Sequence, residues 1–292
     1  MPGSRIEYIM AAIEYIEEHL TEKLDLDRIA GAVHCSKYHL HRMFTDLTGL
    51  TLHDYVQRRR LTEAAKLLVF SGKPVLDIAL LAGYESQQAF TNIFTTMYKT
   101  SPGKYRENEK FYPLQLKFQL EGGCKVPDHC GKTEWNITLA TEDDIPCWME
   151  LVRLIVDGYP HLYEDEYLAV LKQRIIDREA LILKAALADG DIAIGIMMFS
   201  YETGSIDMMG SHPLYRKQGI PAAFLEKVME ELLQGKDLSI TTYREGDRAD
   251  TGHRRAIKGL GFAEAELLVE YGYPTQRFVL SKEADHEPRT KS

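Results

Sequence analysis

Cysteine and tryptophan are scarce in this 292-residue chain, at four and two residues. The cysteines (Cys35, Cys124, Cys130 and Cys147) fall at irregular spacing and lay out no disulfide framework, which points to a reducing compartment. No apolar run approaches the length of a membrane span, and no charged segment followed by an apolar one opens the chain. A cytoplasmic protein with no membrane partner is therefore expected. Net positive charge is missing too: the chain carries −9. Phosphate affinity comes mostly from Lys and Arg, so this balance argues against a nucleic-acid binder until it is divided. Residues 1–107 hold 13 Lys/Arg against 13 Asp/Glu, and the remainder holds 22 against 31. All the net acidity lies in the second part. The length suggests two domains, and 45% hydrophobic with 27% charged residues is an ordinary globular composition.

What is present is a repeated helical pattern. Residues 83–106 read as a turn, an amphipathic helix and a stop. Gly83 can supply the positive φ of a sharp turn, Ser86 is a good N-cap, and Phe90, Phe94 and Met97 form one apolar face. The other face carries Gln87, Gln88, Thr91, Asn92 and Thr95, with amides that can pair bidentately with adenine edges. Pro102 is expected to end this helix. An earlier copy repeats the plan: Ser36 caps, Leu40, Phe44 and Leu47 face inward, and Lys37, Tyr38, His39, His41 and Arg42 lie around the outward side. A short apolar helix precedes each copy, through Leu26, Ile29, Ala30 and Val33 and through Val75, Ile78, Ala79 and Ala82. Residues 5–20 predict an amphipathic helix beneath the first unit, and residues 52–70 predict a helix joining the two. Arg58, Arg59 and Arg60 cluster within that joining helix and read as a basic patch; Arg58 and Arg59 are candidate phosphate contacts.

These motifs resemble the AraC/XylS family of bacterial transcription regulators over residues 6–106. The R-L-x-x-A-x-x-L-L of residues 60–68, the D-I-A of 77–79, the G-Y of 83–84 and the S-P-x-x-Y-R of 101–106 carry the likeness. S-K-Y-H-L-H-R-M-F looks like the antibiotic-resistance and superoxide-response activators. There an aromatic, a Gln and an Arg of the first helix read bases; the matching positions are Tyr38, His41 and Arg42, so two differ in type. In the second helix the match is Gln87 and Gln88, and a base-contacting Arg falls on Asn92. The resemblance implies a double-stranded promoter as partner, RNA polymerase as a second one, and a single chain occupying consecutive major grooves.

Residues 108–135 read as a linker. Leu114, Leu116, Phe118 and Leu120 alternate with polar residues as in a strand, and Gly122 and Gly123 break it. Cys124, His129 and Cys130 have no standard zinc spacing and no evident fourth ligand, so no metal is expected. From residue 136 the pattern turns to strands and helices in the order β-α-α-β-β-β-α-β-α-β-β, ending before a disordered tail at 283–292. The fold class expected is multidomain: an all-α tandem helix-turn-helix domain (1–107), then an α/β (α+β) domain with a central mixed sheet (136–282).

The stretch H-P-L-Y-R-K-Q-G-I-P-A-A-F-L at 212–225 delivers a Gly-containing turn from a strand onto a helix, an arrangement that can hold an anion. With the element order and the L-G-F of 260–262 it resembles the GNAT acetyltransferase fold. That resemblance places the acetyl-CoA pyrophosphate on Arg216, Lys217, Gln218, Gly219, Ile220 and Pro221, and its pantetheine arm along Met209, Gly210 and Ser211. Pro221 removes one amide donor, and the family's proton-donating Tyr falls on Ile257. Candidates for acid–base work are Asp207, His212 and Tyr271 (with Tyr273 beside it). Tyr159, His161 and Tyr163, with Tyr243 and Arg244, are candidates for an effector or amine pocket. Three readings stay open: a regulator that senses acetyl-CoA or a small amine, a bifunctional regulator and N-acetyltransferase acting on a cationic amine, and a transferase with a helical scaffold.

Overall fold

A computed structural model describes residues 5–119, 135–156, 162–187, 190–270 and 272–281. The described residues fall into two compact units, those of Met1–Asp128 with Val152–Tyr167, and those of His129–Leu151 with Leu168–Ser292. Residues 110–118 and Tyr163 go with the helical unit.

Seven helices build the first unit: α1 (Arg5–Glu18), α2 (Leu26–Ala32), α3 (Lys37–Thr48), α4 (Leu52–Phe70), α5 (Val75–Leu81), α6 (Gln87–Tyr98) and α7 (Pro102–Glu107). The inward stripe of α1 is Ile9, Ile13 and Ile16, and Leu40, Phe44, Phe90 and Phe94 are fully buried in the two helix-turn-helix pairs. Burying each such side chain is worth about 1.5–3 kcal/mol. In α6 the rings continue into Tyr98, Tyr105 and Tyr112, with Phe94 stacked on Tyr98 at 4.4 Å between centroids. Side-chain caps recur along the unit: the hydroxyls of Ser36, Thr51, Ser86 and Ser101 each accept a hydrogen bond from a backbone amide at the start of a helix, as the Asp25 carboxylate does for α2.

Two turns orient the pairs. Gly83 sits at φ +76, and a Cβ there would lie 3.1 Å from the Arg60 guanidinium carbon. The corresponding turn of the first pair is made by His34 at φ 53, a left-handed residue with no glycine to announce it. Pro102 does not end α6. Lys99 at φ 57 terminates it, and Pro102 opens α7, where its missing N–H costs no hydrogen bond.

The expected strand at 114–120 does not form among its described residues. The segment lies along α4 instead. Thr62 Oγ1 accepts from both Leu114 N and Gln115 N at 3.1 Å, and Phe118 stacks on Tyr55. Backbone groups with no neighbouring strand are satisfied by a buried side chain.

The second unit holds a seven-stranded sheet in the order β1-β2-β3-β4-β5-β7-β6. Its strands are β1 (Ile137–Leu139), β2 (Ala180–Leu187), β3 (Gly190–Phe199), β4 (Ser205–Ser211), β5 (Leu238–Tyr243), β6 (Ala263–Glu270) and β7 (Tyr273–Leu280). Along the chain, helices α8 (Ile145–Ile155), α9 (Glu164–Ile176), α10 (Ile220–Lys227) and α11 (His253–Gly259) complete the expected order, with the end of α8 and the first turn of α9 grouped with the first unit, and α10 continues into a π-wound turn over Val228–Leu232. Neighbouring strands are antiparallel except β4 and β5, which run parallel. Gly195 on β3 lets α10 approach: a Cβ there would lie 2.7 Å from both Ile220 and Phe224.

Candidate functional site

The helical unit exposes what its pattern leaves polar. On α3, Tyr38, His39, His41 and Arg42 are exposed, Tyr38 by 79%, an unusual figure for an aromatic. Lys37 is half-buried and paired with Asp27 at 3.0 Å, its ammonium 5.7 Å from the Tyr38 centroid. The hydrogen bond and charge of Asp27 hold the Lys37 pKa above its ordinary value. On α6, Gln87, Gln88 and Asn92 are exposed and Thr91 is half-buried. Gln88 Nε2 donates to Asn92 Oδ1 at 2.8 Å, one helical turn on. Ser36 and Ser86 are engaged as caps, accepting from His39 N at 3.4 Å and Ala89 N at 3.2 Å. Two capped helices, each behind a left-handed turn, thus present polar faces of amide, imidazole, phenol and guanidinium groups.

The basic patch on α4 is corrected. Arg58 and Arg59 are buried, at 2% and 6% exposure. Arg58 donates to Leu114 O; Arg59 grips Glu17 through Nε and Nη2, both at 2.8 Å, and reaches Glu63 and Gln115 O. Burial alone would lower the Arg59 pKa, but the bonds and charge of Glu17 outweigh it and raise it. Arg60 donates to Leu20 O and to Glu22 O. Arg58 and Arg59 hold α1, α4 and the 114–115 segment together from buried positions, while Arg60, half-exposed, ties α4 to the chain that follows α1.

In the second unit, the parallel ladder between β4 and β5 consists of Ser205↔Ser239 and Ile206↔Ile240. Beyond it, Met208, Met209, Gly210 and Ser211 pair with β3. The side of β4 that faces β5 is therefore left without a strand. The turn after it runs through Arg216, Lys217 and Gln218 to Gly219 at φ +76, the N-cap of α10, with Ile220 buried and Pro221 in the first turn. Arg216 and Lys217 are exposed, and the Gln218 Oε1 is buried without a hydrogen-bond partner among the described residues.

The acid–base candidates fare differently. Asp207 accepts from Arg174 at 2.5 Å and from Ser205 Oγ at 2.9 Å, so its carboxylate is committed to an ion pair rather than free as a base. His212 is buried, and that burial pushes its pKa down to about 4. Its Nδ1 accepts from Leu214 N at 3.2 Å, which places the proton on Nε2. A neutral imidazole so arranged can donate a hydrogen bond, but it cannot serve as a general base through either nitrogen. Tyr271, Tyr159 and His161 lie outside the described residues, as do Cys124, His129 and Cys130.

The described candidates for the amine pocket, Tyr163, Tyr243 and Arg244, each have partners within their own unit. Tyr163 goes with the helical unit, edge-on to Tyr112 and 5.3 Å from the Lys110 ammonium. Tyr243 is a core aromatic at 1% exposure, packed edge-on to Tyr273. Arg244 donates to Thr275 O and Leu268 O, tying the loop after β5 to β7 and β6. A strand-exit residue looks polar in sequence whether it meets solvent or caps its neighbours' carbonyls.

Comparison with known proteins bears on the first unit. Residues 29–108 match the family model described as a helix-turn-helix domain. The chain is 37% identical over 116 residues to the transcriptional regulator Rob of Salmonella typhimurium, covering 39% of this chain and 40% of that protein. It thus spans well under two thirds of that relative's length. It is 45% identical over 98 residues to the probable transcription factor PqrA of Proteus vulgaris, covering 33% of this chain and 80% of PqrA. With the regulatory protein SoxS of Salmonella typhimurium the identity is 39% over 103 residues, or 35% of this chain and 96% of SoxS.

Proposed function

The chain belongs, through its N-terminal helices, to the AraC/XylS family of helix-turn-helix regulators, and from that premise we propose that it binds promoter DNA sequence-specifically to regulate transcription. The observation that carries this reading is the pair of exposed polar faces on α3 and α6, each fixed by a cap and a sharp turn. Tyr38, His41 and Arg42 on one face, and Gln87 and Gln88 on the other, are the groups we assign to bases and nearby phosphates, with Asn92 hydrogen-bonded to Gln88 beside them. A joining helix of 19 residues, about 28 Å long, connects the two helix-turn-helix pairs. Both readers in one chain suit an asymmetric site spanning two turns of a duplex. The test is Gln88→Ala, expected to weaken binding to the preferred duplex by about 1–3 kcal/mol and to leave a scrambled duplex unchanged. Equal loss on both duplexes in a gel-shift titration at fixed salt would count against base reading.

A second reading concerns the sheet unit, and the parting of β4 from β5 favours it. We infer that this unit binds acetyl-CoA, as GNAT-like domains do, as a sensor of that thioester or of a small amine. Support comes from the open edge of Met209, Gly210 and Ser211, from the Gly219 turn onto α10, and from the unpartnered Gln218 oxygen. An acceptor at Gln218 suits an amide N–H of a pantetheine arm; Arg216, Lys217 and the amides at the start of α10 suit the pyrophosphate. The commitment of Asp207 and the tautomer of His212 leave no described base among the candidates, which favours sensing over turnover. Calorimetry with acetyl-CoA is expected to show binding that Gly219→Val weakens about tenfold or more. Free thiol released above the hydrolysis rate, with polyamines or aminoglycosides present, would instead establish acetyl transfer.

A further inference from the structure

We propose that Asn92 sets which base Gln88 reads, by holding the Gln88 carboxamide in the one orientation that matches adenine. The inference rests on the DNA-binding reading and deepens it at one position. A glutamine amide has one acceptor oxygen and two N–H donors, and an unconstrained side chain can turn either edge outward. Here one donor is spent: Gln88 Nε2 donates to Asn92 Oδ1 at 2.8 Å, on the exposed face of α6. What remains to face a groove is one N–H beside Oε1.

Adenine displays an acceptor at N7 next to a donor at N6, the complement of that remaining pair. Guanine displays two acceptors, N7 and O6, which would require two donors. Gln88 turned the other way, with Oε1 spent on Asn92, would offer two donors and suit guanine. The bond to Asn92 therefore acts as a selector between purines. The residues lie four apart on one helix, the spacing at which side chains meet, so the pair needs no DNA to form. Asn92 is a positioning residue here, with no base contact of its own.

The test is selection from randomised duplexes with the full-length chain, at one salt concentration. Wild type is expected to favour adenine over guanine by about tenfold or more at one base pair. Asn92→Ala should cut that ratio to about threefold or less at the same base pair and leave other positions unchanged. Asn92→Asp keeps the acceptor and should keep the ratio, while its charge weakens all duplexes alike. Gln88→Ala should remove the preference altogether. A guanine preference in wild type, an unchanged ratio in Asn92→Ala, or an Asp variant that behaves like Ala would each overturn the proposal. So would a changed preference at a different base pair, since Asn92 would then be reading for itself. Wild type selecting no sequence at all is a separate result; it removes the DNA-binding reading, and this selector with it.

Discussion

Arg59→Ala should destabilise the helical unit by about 3–5 kcal/mol. The guanidinium forms a fork with Glu17, at 2.8 Å on both arms, inside an environment where its side chain is 7% exposed and that of Glu17 is 13% exposed. Removing it strands a nearly buried carboxylate, which also accepts from the Tyr55 hydroxyl at 2.9 Å, and frees the Gln115 carbonyl. The loss therefore exceeds that of a surface ion pair, worth about 0–1 kcal/mol. Urea unfolding followed by helical circular dichroism reads it directly. Replacing Arg59 and Glu17 together by apolar residues should recover part of the loss, because no unpaired charge is left behind. An arginine that touched phosphate would behave differently: stability would hold, every duplex would bind more weakly, and the salt slope would fall by about 1. That second pattern would restore the surface role and refute the buried one.

Acidification from about pH 7 to about pH 4 should cost the sheet unit roughly 3 kcal/mol through His212 alone. Burial pushes the folded-state pKa of this imidazole down to about 4, below its ordinary value of 6.5. Between those two values the unfolded chain takes up the proton and the folded chain does not. Stability is thus whole above about pH 6.5 and is lost progressively as the pH falls to about 4. His212→Gln retains an acceptor for Leu214 N and does not titrate. The difference between wild-type and variant unfolding free energies should therefore slope across this window. Parallel curves would show that His212 is accessible to protons in the folded state.

The parts of the fold legible in sequence are those set by near neighbours. The caps at Ser36 and Ser86, the inward stripes of α3 and α6 and the glycine turn at Gly83 are local patterns, and the structure carries them. The succession of strands and helices along the second part of the chain was equally readable, because alternation and turn residues mark each element within a few positions. Failures arose where a distant partner decides. Nothing near Arg58 and Arg59 announces Glu17, 42 residues away from Arg59, or the carbonyls of Leu114 and Gln115. Three adjacent arginines on a helix read as a solvated patch because consecutive helical residues point to different sides. The same holds for Asp207, whose partner Arg174 comes from α9, and for Arg244, whose acceptors lie on β6 and β7. His34 escaped notice for a different reason: its left-handed backbone is imposed by the turn it must close, and its residue type gives no sign of it. Register between β4 and β5 was also hidden, since parallel pairing leaves no hairpin signal in the chain.

Gln88 and Asn92 show how a local pattern can carry more than its polarity. Spacing put both amides on one face; only the direction of their hydrogen bond says which edge of Gln88 is left. Should the sheet unit's ligand alter operator affinity, the operator must alter ligand affinity by the same factor, whatever the sign.

The most direct measurement is a hydroxyl-radical footprint of the full-length chain on a duplex chosen by selection, with the number of chains bound determined by mass. Two protected segments about one helical turn apart on one face of the duplex, from a single bound chain, are the predicted result. Protection that ignores sequence at moderate salt, or that appears only when two chains bind, would contradict it.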